Sequence, residues 1–447
     1  MMMNTPICDF VTEYRDRGAL RLHMPGHKGE HFLGVEDLDI TEIDGADVLY
    51  RAGGIIRQSE ENAAALFGTA RTIYSAEGSS LAIRAMVYLA LLYGKAQGRR
   101  PVIAAGRNAH KTFLTAAALL DIEPVWLFPK EQEDILSCMI TGEELDSTLA
   151  DMDEKPVAVY ITSPDYLGNM ADIAALSKVC RKYGALLLVD NAHGAYLNFL
   201  AESRHPIALG ADMCCDSAHK TLPVLTGGAY LHISKTAPGL FGEQAENGMA
   251  LFASTSPSYL ILQSLDRANR YLAEGYRESL DDYTKKVAAL KHRLASGGYT
   301  LIGEEPLKIT IAAKRYGYTG DALAVELYKE EIVCEFCDPD YVVLMLTPQN
   351  GEAALAKLET VLLNIEQKTE IAERMPGLVR PAKRMSPREA LFTPGRELDI
   401  HECCGRVLAA ATVSCPPAIP IVVCGEVIDE SAIRVFEYYG LESCVVI

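Results

Sequence analysis

The feature that most constrains the fold is a regular alternation of strand-like and helix-like segments between residues 71 and 233. Short apolar runs such as residues 185–189 alternate with stretches of helical periodicity such as residues 173–183. Continuous apolar strands are typical of a parallel sheet covered by helices on both faces. We therefore predict an α/β fold with a mostly parallel sheet. In such folds, ligand-binding groups gather at the carboxyl ends of the strands.

Changes in turn content and in the pattern of strand-like and helix-like segments divide the 447 residues into four predicted parts. Residues 1–60 are rich in turns and are predicted to form an N-terminal arm. The large domain covers residues 61–257, and residues 258–298 form connecting helices whose periodicity is interrupted only at Gly275. A second alternation of strands and helices predicts a smaller C-terminal α+β domain over residues 299–447.

Charge and cysteine content exclude several classes of protein. The net charge is -18, whereas nucleic acids and anionic membranes bind basic patches. The 12 cysteines have no regular disulfide spacing, and the sequence does not open on a signal peptide, so we expect a cytoplasmic protein with reduced thiols. Cys334 and Cys337 have C-x-x-C spacing, but no second ligand pair follows at zinc spacing, and no metal site is predicted.

A carboxylate and a lysine form the most informative pair in the sequence. Asp190 ends an apolar strand, and Lys220 follows thirty positions later among small polar residues. Enzymes that use pyridoxal 5'-phosphate (PLP) need a lysine that holds the cofactor as a Schiff base. They also need a carboxylate that keeps the pyridine nitrogen protonated. The pair therefore predicts PLP as cofactor. The structural alternatives are an ordinary surface lysine and, for Asp190, a helix N-cap.

Two other lysines compete for this role, because each also follows a histidine. Lys28 precedes the predicted sheet altogether. Lys111 begins a helix after a strand, but no carboxylate ends a strand before it. Lys220 is therefore the favoured anchor.

Two further segments have residue types that suit such a cofactor. Gly78, Ser79 and Ser80 lie between a strand and a long helix, where hydroxyls and free backbone N–H groups can bind a phosphate. His110 follows another strand and could stack its flat ring on the cofactor. Taken alone, serine-rich N-caps and structural histidines are common alternatives.

Together these blocks resemble the Orn/Lys/Arg decarboxylase family, PLP enzymes of the aminotransferase-like fold type I. The similarity extends over most of the chain. The blocks that carry it are residues 23–29, 39–45, 78–80, 107–111, 164–168, 190–195, 217–223 and 254–259. The resemblance implies a three-layer PLP-binding domain with a mostly parallel sheet.

The resemblance also implies roles for individual residues. Ala192 would pack on the ring face opposite His110, and Ser217 and His219 would help to hold the phosphate and the Schiff base. Thr255 lies in a segment that commonly reaches the neighbouring subunit's phosphate in this fold, so a homodimer is expected. The implied cofactor-binding residues are Gly78, Ser79, Ser80, His110, Asp190, Ala192, His193, Ser217, His219, Lys220 and Thr255.

The implied reaction is decarboxylation of a basic amino acid (arginine, lysine or ornithine) to carbon dioxide and the corresponding amine, in polyamine metabolism. The implied catalytic residues are Lys220, Asp190, His110 and His219. Lys220 or His219 would return a proton to the substrate Cα. Glu335 is a candidate partner for the distal cation of the substrate.

The sequence departs from the family pattern in the predicted surround of the substrate. Ala410 stands where the family has a glutamate, and residues 415–420 read Cys-Pro-Pro-Ala-Ile-Pro where the family has Tyr-Pro-Pro-Gly-Ile-Pro. Tyr196 stands where a second histidine is frequent. Two alternatives therefore stay open: another PLP reaction, such as transamination or elimination, and a catalytically silent regulatory homologue. The chain resembles the shorter, biosynthetic type of the family.

Overall fold

The structure is a computed structural model. It describes residues 3–130, 135–377, 379–411, 413–415 and 419–447.

The helices are α1 (Pro6–Asp16), α2 (Ile55–Phe67), α3 (Gly78–Ala96), α4 (Lys111–Leu120), α5 (Gly142–Asp151), α6 (Ile173–Tyr183), α7 (Ala218–Thr221), α8 (Gly239–Ala250), α9 (Tyr259–Ala273), α10 (Tyr276–Ser296), α11 (Gly320–Lys329), α12 (Gly351–Asn364), α13 (Pro387–Leu391) and α14 (Glu430–Tyr438).

The strands are β1 (Arg71–Ser75), β2 (Val102–Gly106), β3 (Glu123–Leu127), β4 (Ala158–Thr162), β5 (Leu186–Asp190), β6 (Met213–Asp216), β7 (Ala229–Ile233), β8 (Leu301–Ile302), β9 (Lys308–Ala312), β10 (Phe336–Cys337), β11 (Tyr341–Met345), β12 (Arg396–Asp399), β13 (Val413–Cys415), β14 (Ile419–Val422) and β15 (Ser443–Val446).

The first of two compact units contains residues 1–98 and 186–281. Its strands lie in the order β1-β7-β6-β5. β5 and β6 are parallel, whereas β7 is antiparallel to both of its neighbours. The carboxyl ends of β1, β5 and β6 therefore lie at the same edge of the sheet, which is the edge where ligand groups are expected.

The second unit contains residues 99–185 and 282–447. β2 pairs in parallel with both β3 and β4. A four-stranded antiparallel sheet has the order β10-β11-β9-β8, and two separate two-stranded antiparallel sheets join β12 with β15 and β13 with β14. This combination agrees with the α+β texture expected towards the C-terminus.

Local chemistry explains where the elements before Asp190 begin and end. Asp172 caps α6 by accepting a hydrogen bond from the backbone N–H of Ala175. Gly184 ends the helix in the left-handed conformation, with φ of 63°, which glycine adopts without steric cost. All five residues of β5 are buried, as expected of a central strand in a parallel sheet.

The sequence reasoning missed the first helix. Residues 1–60 were expected to form an arm, but they include α1 and the start of α2. The signal was present, because Ile7, Val11 and Tyr14 are buried at helical spacing and Pro6 occupies the first turn. The α/β prediction is confirmed, and among the described strands of the first unit's sheet β7 runs antiparallel to both of its neighbours. The four predicted domain boundaries stay a prediction.

Within the described ranges, no helix is both long enough and apolar enough to cross a membrane.

A buried acid in the first unit makes the stability of the fold sensitive to pH. Glu60 of α2 is 3% exposed. Its Oε1 accepts the backbone N–H of Tyr74 at 3.0 Å, and its Oε2 has no hydrogen-bond partner among the residues that the structure describes. Burial is the main cause that raises the pKa of Glu60 to about 8. The folded protein therefore keeps a proton that the unfolded chain releases near its ordinary pKa of about 4.3.

We expect Glu60→Gln to flatten the pH dependence of stability. The proton on Glu60 contributes stability below about pH 4.3, and this contribution is lost as the pH rises to about 8, at about 1.4 kcal/mol per pH unit. Glutamine is neutral throughout, so the variant should exceed the wild type above pH 8. Urea unfolding at pH 5, 7 and 9 measures this. Glu61→Gln, at an exposed neighbouring position, should leave the wild-type pH slope unchanged; an equal slope in the Glu60 variant would contradict the expectation.

Candidate active site

Lys220 lies on α7, a single helical turn that directly follows β6. Its side chain is half-buried. The backbone N–H of Lys220 donates to the carbonyl of Ser217 at 3.0 Å, and this hydrogen bond stabilises the start of the turn. The lysine is thus placed at the carboxyl end of a buried strand, as the sequence predicted.

The predicted phosphate segment meets the lysine segment through two serines. The hydroxyl of Ser217 donates to the hydroxyl of Ser79 at 2.8 Å, although 138 positions separate the two residues. Ser79 and Ser80 are half-buried in the first turn of α3, and no acidic residue occupies that turn. Two hydroxyls and a helix N-terminus therefore converge, which is a donor set that suits a phosphate.

The lysine segment also meets the segment that follows β5. The Nζ of Lys220 lies 2.8 Å from the Nε2 of His193. His193 is buried, and Ala192 beside it is half-buried. Contacts therefore join three predicted blocks into one continuous group: residues 78–80, 217–220 and 190–193.

Asp190 is a buried carboxylate, 3% exposed, at the last position of β5. Its Oδ1 accepts the backbone N–H of Ala192 at 3.2 Å and the thiol of Cys215 at 3.5 Å. Burial is the main cause that raises the pKa of Cys215 well above its ordinary value, so this thiol keeps its proton and acts as a donor. These two hydrogen bonds hold the carboxylate in a defined position at the strand end.

Two adjacent glycines directly before β7, which the sequence reasoning missed, contact two of these segments. The carbonyl of Gly227 accepts the backbone N–H of Gly78 at 2.7 Å. The carbonyl of Gly228 accepts both the backbone N–H and the ring Nδ1–H of His219, at 3.1 and 3.0 Å. Gly227 has φ of 100°, and a Cβ there would lie 3.0 Å from the carbonyl oxygen of Ala76. The only available signal was a pair of glycines just before a predicted strand.

His110 belongs to the second unit, where it lies between β2 and α4. It is the N-cap of α4, and its Nδ1 accepts the backbone N–H of Thr112 at 3.2 Å. Because Nδ1 is an acceptor, the neutral ring carries its proton on Nε2. The ring is half-buried and has one defined orientation, which suits a stacking role.

A buried arginine fixes the loop that carries His110. Arg107 donates from Nη1 to the carbonyl of Pro420 at 2.9 Å, and from Nη2 to the carbonyl of Ile421 at 3.0 Å and to Oε2 of Glu426 at 3.1 Å. Its guanidinium also lies 5.3 Å from the ring centroid of Trp126. Burial raises the pKa of Glu426, and Arg107 opposes that shift. This Arg107 clamp joins the His110 loop to β14 within the second unit.

Glu335 and Thr255, two other predicted residues, are exposed. In the second unit, Glu335 accepts a hydrogen bond from the hydroxyl of Tyr166 at 3.0 Å, which fixes a negative charge at the protein surface. In the first unit, the backbone N–H of Ser254, next to Thr255, donates to Glu77 at 2.7 Å. This contact brings the Thr255 segment to the start of α3.

The departures from the family pattern are only partly visible. Pro416, Pro417 and Ala418 lie outside the described residues, and so does the side chain of Cys415. Ala410 is half-buried and packs against a core cluster of the second unit. At Pro420 the group that binds Arg107 is a backbone carbonyl, so this contact does not depend on a particular side chain.

The fold is that of the PLP-dependent enzymes of fold type I. The lysine decarboxylase of Francisella novicida superposes on the chain with a TM-score of 0.82, at 18% sequence identity, over 99% of this chain and 81% of that one. A serine palmitoyltransferase from Sphingomonas wittichii matches 81% of the chain with a TM-score of 0.56. At such low identities these similarities establish the fold alone.

The chain belongs to the Orn/Lys/Arg decarboxylase family, whose major-domain model matches residues 5–300. An arginine decarboxylase of Bacillus subtilis is 28% identical over 96% of this chain and 92% of its own length. An arginine decarboxylase of Halalkalibacterium halodurans is 29% identical over 96% and 91%. The family, fold class and enzyme class expected from the sequence are confirmed.

Proposed function

We propose that this chain binds PLP and decarboxylates a basic amino acid, with arginine as the first candidate. The observation that carries the proposal is the convergence of three sequence blocks through the Ser79–Ser217 and Lys220–His193 contacts. Family membership and the arginine decarboxylases among its relatives support the choice of reaction and substrate. The acidic net charge suits a cationic substrate.

The residues present fit PLP by the chemistry of their donors and acceptors. The start of α3, Ser79, Ser217 and His219 would hold the phosphate, and Asp190 would pair with the protonated pyridine nitrogen. Lys220 would form the covalent link. By family resemblance, His110 and Ala192 would cover the two ring faces, and Thr255 would reach a phosphate across a subunit interface.

The chemistry that PLP supplies when bound is an electron sink for the bond between the substrate Cα and its carboxylate. Asp190 would maintain that property by pairing with the pyridine nitrogen from its buried position at the end of β5. Once carbon dioxide has left, the substrate Cα needs a proton. We assign its transfer to Lys220, with His219 as the alternative donor, because both residues lie on α7.

A substrate panel tests the proposal. We expect the purified protein with PLP to release carbon dioxide from at least one of arginine, lysine and ornithine, with one amine formed for each carbon dioxide. Detection of a keto acid without carbon dioxide would favour the aminotransferase alternative. Cofactor binding without any turnover across all common amino acids would favour the regulatory homologue. The variant Asp190→Ala is the control, because it measures the carbon dioxide that is released independently of the proposed active site.

We also propose that the protein is a homodimer, as the fold type implies. The N-terminal segment of residues 20–35 supports this, because its large apolar side chains are exposed in the single chain. Leu22 is 83% exposed, Phe32 80% and Leu33 88%. Apolar side chains that are exposed singly are normal on a monomer, whereas several large ones within one short segment favour an interaction site. The exposed position of Thr255 is consistent with a residue that contacts a partner subunit.

Light scattering on the eluting protein checks the assembly. We expect a mass of two chains for the wild type and a shift towards one chain for Leu22→Glu, because a buried unpaired charge opposes association. Val333→Glu is the matched control, since Val333 is 79% exposed but lies far along the chain in the second unit. A monomeric wild type would contradict the proposal.

A cytoplasmic location is proposed on the basis of the cysteines. The described residues include 11 cysteines with free thiols, most of them buried, which is typical of proteins from reducing compartments.

A further inference from the structure

A second buried carboxylate lies next to the candidate site and has no role in the proposed chemistry. Asp216 is the last residue of β6, directly before Ser217, and its side chain is fully buried. An isolated charge in such a position is strongly unfavourable, so it must be compensated by hydrogen bonds or by partner charges. The hydrogen-bond partners of Asp216 therefore indicate its role in the fold.

Two histidines donate to the same oxygen of Asp216. The Nε2 atoms of His205 and His232 lie 3.0 and 3.1 Å from its Oδ2, and both rings are fully buried. An ionised carboxylate only accepts, so both histidines carry a proton on Nε2. The Nδ1 of His232 in turn lies 2.8 Å from the hydroxyl of Thr72. Burial raises the pKa of Asp216, but the two histidines more than offset this and hold it well below its ordinary value.

The other oxygen of Asp216 connects the cluster to the cofactor segment. Oδ1 accepts the side-chain amide of Asn191 at 2.7 Å, and Asn191 directly follows Asp190. The backbone N–H of Asn191 donates to the carbonyl of Cys215 at 3.0 Å. Space for the amide depends on Gly194, where a Cβ would lie only 2.0 Å from the Oδ1 of Asn191.

We propose that Asp216 and Asn191 are positioning residues that fix the strand end bearing Asp190 relative to the turn bearing Lys220. The link is short at both ends, because Asn191 is one residue from Asp190 and Asp216 is four residues before Lys220. Pairing between β5 and β6 aligns only their backbones. The Asn191–Asp216 hydrogen bond also fixes the direction in which the segments after β5 and β6 continue. The inference deepens the proposed function and rests on it for the roles of Asp190 and Lys220.

Asn191→Ala cuts the link and leaves the contacts of Asp216 with both histidines in place. Asp216→Asn keeps the shape and removes the charge, but it removes one carboxylate acceptor from a buried cluster and can prevent folding. Thr72→Val is the matched control, because it removes the hydroxyl that contacts His232 and Thr69 in the same cluster without touching Asn191. It should lower the melting temperature while leaving the cofactor segments in place.

The first measurement needs no cofactor. In hydrogen–deuterium exchange of the protein without PLP, we expect the amides of residues 190–194 and 217–221 to exchange at least tenfold faster in Asn191→Ala than in Thr72→Val. The second measurement is PLP titration, followed by absorbance. We expect the affinity of Asn191→Ala for PLP to fall by about 10- to 100-fold, as is typical for loss of a residue that supports a binding group. Thr72→Val should stay within about twofold of the wild type.

Unchanged exchange in both segments of Asn191→Ala would overturn the inference, whether or not the protein decarboxylates any amino acid. Equal losses in Asn191→Ala and Thr72→Val would also overturn it, because they would indicate a general effect on stability. His205, Asp216 and His232 are also residue types that bind metal ions. A content of one zinc ion per chain in the wild type and none in Asp216→Asn would show that these residues coordinate a metal instead of forming the hydrogen-bonded link. That result would also overturn the inference.

Discussion

Replacement of Lys220 by alanine is expected to remove the visible absorbance band of covalently bound PLP and to abolish turnover. The side chain has two functions in the proposal, since it anchors the cofactor and returns a proton to the substrate. Loss of a group that transfers protons costs about 10²–10⁴-fold, and loss of the anchor adds to that. Absorbance spectra after dialysis with PLP, together with carbon dioxide release, measure both effects.

Lys111→Ala is the matched control for this experiment. Lys111 follows His110 as Lys220 follows His219, and it begins a helix after a strand. Its side chain is exposed, so truncation should leave both the spectrum and the rate close to those of the wild type. If the Lys220 variant kept the band and turned over, or if Lys111 were the residue whose loss removed the band, the assignment of the anchor would be wrong.

Replacement of Arg107 by alanine is expected to destabilise the protein by about 3–5 kcal/mol, because it leaves the charge of Glu426 buried and unpaired. The variant also leaves two backbone carbonyls, of Pro420 and Ile421, without their donor. The loop that carries His110 loses its tie to β14, so activity should fall in the fraction that stays folded. Urea unfolding and carbon dioxide release measure the two effects.

The control uses an exposed arginine of the same unit. Arg100 pairs with Glu123 and Glu154, but its side chain is 60% exposed, and pairs of this kind contribute about 0–1 kcal/mol. Arg100→Ala should therefore change stability little. A double-mutant cycle with Glu426→Ala should recover part of the loss in the Arg107 variant. Additive losses would show that Arg107 and Glu426 are not coupled.

The Arg107 clamp also bears on the altered C-terminal segment. The sequence differs from the family pattern over residues 415–420, which raised the alternatives of a changed reaction or of no reaction. Yet the acceptors that Arg107 uses at Pro420 and Ile421 are backbone carbonyls. Glu426, whose side chain completes the clamp, lies outside the changed run. The anchoring of the His110 loop is therefore compatible with the changed side chains.

Much of the fold could be predicted because apolar residues recur at the spacing of helices or in the continuous runs of buried strands. α6 begins and ends where the helical periodicity of residues 173–183 placed it, and Gly275 separates α9 from α10. The first helix was missed, although its buried residues have helical spacing, because the turn-rich residues that follow it dominate the segment. The position of Asp190 at the end of a strand was likewise predictable, since it follows a continuous apolar run.

The sequence by itself determined the family, the α/β fold and the identity of the blocks, because each is recorded in contiguous residues. Only the tertiary structure decided how the blocks meet. The Ser79–Ser217 contact spans 138 positions, and the carbonyls of Gly227 and Gly228 bind two different segments. Asp216, which the sequence did not single out, is the centre of a buried hydrogen-bond network. Such contacts depend on the spatial distance between the ends of strands that are far apart in the sequence. A local pattern of residues contains no information about that distance.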